Sequence, residues 1–336
     1  MSFGPLTSRL RASCTVSRFR ARAGLRASAL ASALAAALAA ALAACAGPAA
    51  RPVAGERIID DYGDTLVIAR PPARIVSLNP ASTEILFTIG AGQRVVGRTS
   101  WDAWPDAARA VPDLGPGLRP NVEAVLAAKP DLVLLYAAQD NRAAARALRA
   151  AGVATLTLRV DRIADFARAT TLLGRVLGDT AAAATLRDSV LATVSRVAGE
   201  ARAARAAART SAPSVAWPLG ERPLYVIGGS SFLGELIDSA GGRNAFGDLA
   251  QPSPTVAFEE LVRRDPDVLV VGAAAAARIA TDARWRQLRA VRSGRLVIAD
   301  SVRTGRPGPR LGEAVSWRRD ALAAAMATAE PARAPR

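Results

Sequence analysis

Mainly apolar runs of three to five residues, some holding a Ser, Thr or Arg, alternate along the chain with segments whose apolar residues recur every three or four positions. Runs at 74–78, 95–97, 132–135, 154–158, 223–227, 268–271 and 295–298 predict strands, because a strand covered on both faces needs no polar alternation. Segments at 84–89, 122–129, 141–151, 163–177, 232–240, 256–264, 285–291 and 311–327 read as helices. The punctuation agrees: Asn79-Pro80-Ala81-Ser82-Thr83 is a turn able to cap the first helix, Asn121 caps the second, and Gly90 and Gly152 stop the chain after helices. A hairpin at 57–68, turning at Gly63-Asp64, precedes them all.

Strand and helix alternating in this way imply mainly parallel sheets flanked by helices, an α/β architecture. At 336 residues the chain has room for two such lobes. The segment 180–209 divides them. Along it Leu186, Val190, Val194, Val197 and Ala201 step by three and four, while Arg187, Arg196, Arg202 and Arg205 keep the other faces polar. That predicts one helix of roughly 45 Å, a length suited to joining two lobes rather than packing inside one.

One phrase stands once on each side of this divide. Asn121 to Tyr136, NVEAVLAAKPDLVLLY, returns as AFEELVRRDPDVLVVG from Ala257 to Gly272, so Glu123, Pro130 and Asp131 reappear 136 residues later as Glu259, Pro266 and Asp267. The phrase reads as helix, turn and strand. On this reading Pro and Asp only turn the chain, and a glutamate in the first helical turn favours the helix dipole by about 0.3–1 kcal/mol.

The first 44 residues change the picture. They hold six arginines, no acid and an apolar Ala/Leu run that ends at Leu42-Ala43-Ala44-Cys45, the pattern of an export signal and too short and Ala-rich for a membrane span. Leu-Ala-Ala-Cys resembles the bacterial lipobox, which implies cleavage before Cys45, a lipid on Cys45 and a flexible tether over 45–57. The formal charge of +15 then falls to +9 as the six arginines leave. What remains is dispersed arginine without interleaved aromatics, so nucleic acid is not an expected partner.

The absences are equally informative. The chain has no histidine, which removes Ser-His-Asp catalysis and histidine metal sites. Its cysteines are Cys14, lost with the signal, and Cys45, so thiolate chemistry, cysteine metal sites and an internal disulfide are excluded from the mature chain. There is no phosphate-binding glycine loop and no tight acidic cluster. Carboxylate-pair hydrolysis remains as the rival enzyme reading, needing two acids facing each other in a cleft; a sensor or scaffolding lipoprotein is a third.

The ordered run Arg74-Ile-Val-Ser-Leu-Asn-Pro-Ala-Ser-Thr-Glu-Ile-Leu-Phe-Thr-Ile-Gly90, Val95-Val-Gly97, Trp101, Trp104-Pro105 and Asn121-Val-Glu to Pro130-Asp131 resembles the substrate-binding proteins of ABC importers for metal chelates: vitamin B12, ferric siderophores or haem. Gly241-Gly242-Arg243-Asn244, Phe258-Glu259 to Asp267 and Pro307-Gly308-Pro309-Arg310 continue the resemblance through the second lobe. It implies two lobes (58–178 and 210–330) joined by a single backbone helix (179–209), with residues 331–336 as a tail. It also implies a periplasmic or cell-surface lipoprotein with no catalytic residues and no resident cofactor or metal. Its partners would be a metal chelate, held in the cleft between the lobes, and an ABC permease dimer with its ATPase, docked through Glu123 and Glu259.

By position in the family, Trp101 and Trp104 face the cleft, with Trp217, Arg119, Arg303 and Arg306 as further ligand candidates. The chain departs from the B12-binding pattern at Gly117, where a cleft tryptophan is expected, and at Arg303 and Thr304, where aromatics are expected. A more basic cleft would suit an acidic siderophore. Haem-binding members supply an axial Tyr or His, and none of Tyr62, Tyr136 and Tyr225 stands where one is expected.

Overall fold

The computed structural model describes residues 55–300 and 304–327. The hairpin forms as expected, with β1 (Glu56–Ile59) antiparallel to β2 (Thr65–Ile68). The first lobe then runs β3 (Ile75–Leu78), α1 (Pro80–Thr88), β4 (Val95–Gly97), α2 (Val122–Ala127), β5 (Leu132–Tyr136), α3 (Arg142–Ala150), β6 (Ala154–Leu158) and α4 (Ile163–Leu177). After α5 (Thr180–Ala208), the second lobe runs β7 (Ser214–Ala216), α6 (Phe232–Ser239), β8 (Arg243–Asn244), α7 (Phe258–Arg264), β9 (Val268–Gly272), α8 (Ala273–Thr281), α9 (Arg289–Arg292), β10 (Leu296–Ala299) and α10 (Leu311–Ala327). The two sheets have orders β4-β3-β5-β6 and β10-β9-β7-β8, with every pairing parallel.

Each sheet is covered on both faces, and the two-residue period of a strand decides which side chain goes where. Leu132 and Leu134 of β5 join one core with Ile85 of α1 and Phe166 and Leu173 of α4. Val133 and Leu135 join the other with Val125, Ala145 and Leu148 of α2 and α3. In the second lobe Leu269 and Val271 pack with Phe258, Leu261 and Ile279, whereas Val268 and Val270 pack with Val215, Ile237 and Leu322.

Helix α5 carries the expected apolar stripe, with Ala183, Val190, Val194, Val197 and Ala201 buried. The first-lobe core continues through Val190, Val194 and Val197 to Leu236 of α6 and Leu311, Ala314 and Val315 of α10. At Gly312 a Cβ would fall 2.9 Å from Thr193 Cγ2, so glycine is what lets α10 lie against α5. The helix is therefore packed on elements of both lobes. None of the described helices is long and apolar enough to cross a membrane.

Three expectations need correction, and one helix was not foreseen. The apolar run 223–227 makes only isolated bridges, Pro218 with Val226 and Tyr225 with Thr255; the sheet strand is Ser214–Ala216, too short to stand out. Helix α8 follows β9 with no turn residues between, so nothing in the sequence separates them. The segment 285–291 breaks at Leu288, which is extended (ψ 134°), into a 3₁₀ turn at Trp285–Gln287 and the short α9. Helix α1 starts at Pro80 rather than residue 84, because Asn79 is its cap, accepting from Ala81 N at 3.2 Å, and Pro suits the first helical position.

The repeated Pro-Asp also does more than turn the chain. Asp131 accepts from the N–H groups of Ala73 and Arg74 at 2.8 and 2.9 Å, while Asp131 N donates to Arg74 O at 2.9 Å. In the second lobe Asp267 accepts from Ser214 N at 2.8 Å and Asp267 N donates to Ser214 O at 2.8 Å. Both aspartates thus staple the start of one central strand to the start of its parallel neighbour, β5 to β3 and β9 to β7. The residues before the prolines, Lys129 and Asp265, both take the left-handed conformation (φ 49° and 36°), Asp265 as the cap of α7 and Lys129 one residue past the Ala128 cap of α2.

Candidate ligand cleft and docking rim

In an open parallel sheet a ligand binds beyond the carboxyl ends of the strands. Two connected cavities lie there in the first lobe. The smaller, about 290 Å³, is walled by Leu78 at the end of β3, Trp101, Leu118, Tyr136 and Val160. The larger, about 610 Å³, extends from Tyr136 and Val160 past Arg159 and Arg162 to Ser230, Phe232 and Pro252 of the second lobe. Tyr136, Val160, Gly305 and Arg306 line both, so the cavities are one cleft with walls from both lobes. Trp101 is 63 % exposed there, an indole presented to solvent rather than to the core.

The loop that closes the second-lobe side is held by charge. Glu84 of α1 is 1 % exposed, and it accepts a hydrogen bond from Arg310 Nη2 at 2.9 Å and lies 3.5 Å from Arg306 Nη1. Arg306 also donates from both terminal nitrogens to Trp101 O at 3.1 Å, and the Arg310 guanidinium sits 4.7 Å over the Trp104 ring. Burial pushes the Glu84 carboxyl up, opposed by the two arginines; burial also raises nearby Asp102, whose Oδ2 accepts from Thr99 N and Oγ1 at 2.6 and 2.7 Å. A reciprocal contact runs the other way: Glu235 of α6 accepts from Arg162 Nε at 2.5 Å and from Ile163 N, the first residue of α4, at 2.8 Å. Each lobe thus offers one glutamate to arginine of the other.

The candidates fare differently. Trp101 and Arg306 are brought together at the cleft, although Arg306 is partly engaged by Glu84 and Trp101 O. Trp104 packs under Arg310. Arg119 stands away from both cavities, with φ 50° and Nε 3.1 Å from Asp140 Oδ2 on the surface. Trp217 is buried in the second-lobe core with the Arg318 guanidinium 4.3 Å from its ring, so it has no free face for a ligand. Arg303 and Cys45 lie outside the described residues.

Two groups that line the cleft, and one buried charge beside it, were missed. Tyr136, discounted in the sequence, lines both cavities and donates to Asp161 Oδ1 at 2.7 Å; burial first and this carboxylate second hold the phenol well above its usual pKa. The signal that marks it is position: it is the last residue of a central strand. Arg159 stands one residue past β6 for the same reason. Glu84 is the lone charged residue of its helix and faces the core side, the sign of a buried charge with a distant partner. Among the described residues no group of three or more His, Cys, Asp or Glu could hold a bare metal ion.

Glu123 and Glu259 each occupy the second position of their helices, α2 and α7. Both are exposed, and neither side chain has a hydrogen-bond or ion-pair partner among the described residues. In α7 the pairing falls to the neighbouring Glu260, whose carboxyl Arg263 and Arg264 hold down at about 2. Because helices in such units run antiparallel to their strands, both first turns lie on the carboxyl, cleft-side edge of their sheets.

Comparison with known proteins settles the family. The model of a periplasmic binding protein family matches residues 75–302. This chain belongs to that family. Over 270 residues it is 32 % identical to the cobalamin-binding protein of Halobacterium salinarum, covering 76 % of this chain and 70 % of that one. It is 28 % identical over 264 residues to an uncharacterized ABC transporter substrate-binding lipoprotein, YvrC, of Bacillus subtilis, covering 76 % and 82 %. Among solved structures, the periplasmic heme-binding protein RhuT of Roseiflexus sp. RS-1 superimposes with a TM-score of 0.67 at 26 % identity, covering 75 % of this chain and 98 % of that one. These relatives are substrate-binding proteins, not enzymes, and the two-lobed α/β fold with its long helix is the one such family members share.

Proposed function

We propose that this chain is the substrate-binding lipoprotein of an ABC importer, catching a metal chelate of the corrinoid or ferric siderophore class in its cleft and delivering it to the permease. One observation carries the reading: a cleft walled by both lobes, with two unpartnered carboxylates, Glu123 and Glu259, at equivalent places on its rim. Those carboxylates would meet arginines on two symmetric permease subunits through charge-assisted bonds. The cobalamin-binding relative supports the chelate, and the relative named as a lipoprotein supports export by residues 1–44 and lipid on Cys45, which would tether the protein to a membrane facing the periplasm or cell surface. The packed α5 and the two glutamate contacts across the lobes favour capture with little hinge motion.

Tyr136 favours a second reading, haem, because it puts a phenol in the cleft. Against it, the phenol is held protonated as a donor to Asp161, whereas an axial ligand to iron acts as phenolate. Tryptophan fluorescence of the purified protein, titrated with cyanocobalamin, ferric siderophores and hemin, tests both. Saturable quenching by a corrinoid or siderophore, lost in Trp101→Ala, is expected. Tight binding of hemin with a Tyr136-dependent absorption band would establish the second reading instead, and binding of none would overturn both.

A further inference from the structure

The cleft's charged groups are almost all committed to the protein. Arg162 is bound by Glu235. Arg306 is bound by Trp101 O and Glu84. Asp165 accepts from Asp161 N and Arg162 N at 3.0 and 3.1 Å, as the cap of α4. Asp161 accepts from Tyr136. Among the described residues that line the larger cavity, Arg159 is the charged one whose side chain makes no hydrogen bond; Asp161 approaches its Nε only to 4.0 Å, and the side chain is 58 % exposed. Its backbone is fixed at both ends, however. Arg159 N donates to Asp61 Oδ2 at 2.5 Å, and Arg159 O accepts from Arg168 Nη2 at 2.9 Å. The fold therefore pins the base of this side chain at the strand end and leaves its five N–H donors without a hydrogen-bond acceptor among the described residues, with Asp161 as a long ion-pair neighbour.

We propose that Arg159 is the anion receptor of the cleft, pairing with an acidic oxygen group on the edge of the bound chelate while Tyr136 packs beside it. The inference rests on the chelate-binding reading and sharpens it: the cargo carries a carboxylate or phosphodiester, and chelates without one are disfavoured. The carboxylate could belong to a siderophore or a haem propionate and the phosphodiester to a cobalamin, so the probes separate these sources.

The test compares the purified protein with Arg159→Gln and Arg159→Lys by fluorescence titration with ferric citrate, hemin, cyanocobalamin and ferrioxamine B, the last of which has no acidic group. For whichever acidic chelate the parent binds, the Gln variant is expected to bind about ten-fold or more weakly, and the Lys variant to recover part of the loss. Parent binding should also weaken as NaCl is raised from about 0.05 to 0.5 M, with a shallower response in the Gln variant. An unchanged melting temperature in both variants excludes a structural effect. Equal affinity of parent and Gln variant, or a preference for ferrioxamine B, overturns this inference alone. Failure of the parent to bind any probe overturns the parent reading and this inference with it.

Discussion

Both lobes bury charge, and two of the buried groups, one from each lobe, are treated in opposite ways. Glu84 in the first lobe is met by Arg306 and Arg310 from the second, so its burial is matched by charge of the opposite sign. Arg318 in the second lobe is 0 % exposed, none of its three guanidinium nitrogens has a hydrogen-bond partner, and burial pushes its pKa down to about 10. Two indole faces lie against it, Trp217 at 4.3 Å and Trp317 at 5.0 Å. The first charge fastens a cleft loop to the opposite lobe. The second is an uncompensated charge within one lobe, where cation–π attraction of about 2 kcal/mol offsets only part of a desolvation cost of several.

Removing each charge should break this symmetry. Glu84→Ala leaves two arginines facing a buried void and is expected to destabilise by about 3–5 kcal/mol, read by chemical denaturation; a loss below about 1 kcal/mol, the range of surface pairs, would mean the cluster is solvated. Arg318→Met is expected to do the reverse and stabilise by about 1–2 kcal/mol, since an apolar chain of similar length fits between two indoles. A large loss there would show that Arg318 has a partner in solution.

The same cluster has a pH signature. Glu84's pKa is raised in the folded state, so the native protein takes up a proton that the unfolded chain still releases. Its contribution to stability therefore grows as pH falls through the raised pKa and is complete below the ordinary carboxylate range. The melting temperature of the parent relative to Glu84→Gln should rise between about pH 7 and pH 4; a fall would mean that the arginines, not burial, dominate.

The repeated phrase offers the gentlest comparison. Asn121 caps α2, accepting from Ala124 N at 3.1 Å, but Ala257 at the equivalent place has no side-chain acceptor. Asn121→Ala should cost about 1 kcal/mol, while Ala257→Asn, at a residue already extended (φ −70°, ψ 148°), should gain about 0.5 kcal/mol. Equal effects of the same sign would mean the caps are not the difference between the two helices.

Most of the fold was legible because β5 and β9 are continuous apolar runs, β3 and β6 are apolar runs broken only by Ser77, Thr155 and Thr157, and α5 has a clean stripe, signals that depend only on neighbours in sequence. What escaped depends on distance. Glu84 and Arg310 are 226 residues apart, and nothing local marks the pair. Ser214–Ala216 is a strand only because Asp267 and β9 make it one. Of the groups that line the cleft, Trp101 was singled out through family position, but Tyr136 and Arg159 were not. They reach the cavity because they stand at strand ends that the sheet order brings to one cleft.

Delivery to a permease is the role proposed for the two rim glutamates. Uptake of the bound chelate by cells carrying Glu123→Ala/Glu259→Ala, measured beside fluorescence binding by the same purified variant, tests it most directly. Lost uptake with unchanged binding is the predicted result. Normal uptake with normal binding would contradict it, and would return both glutamates to the role of first-turn residues that only favour their helices.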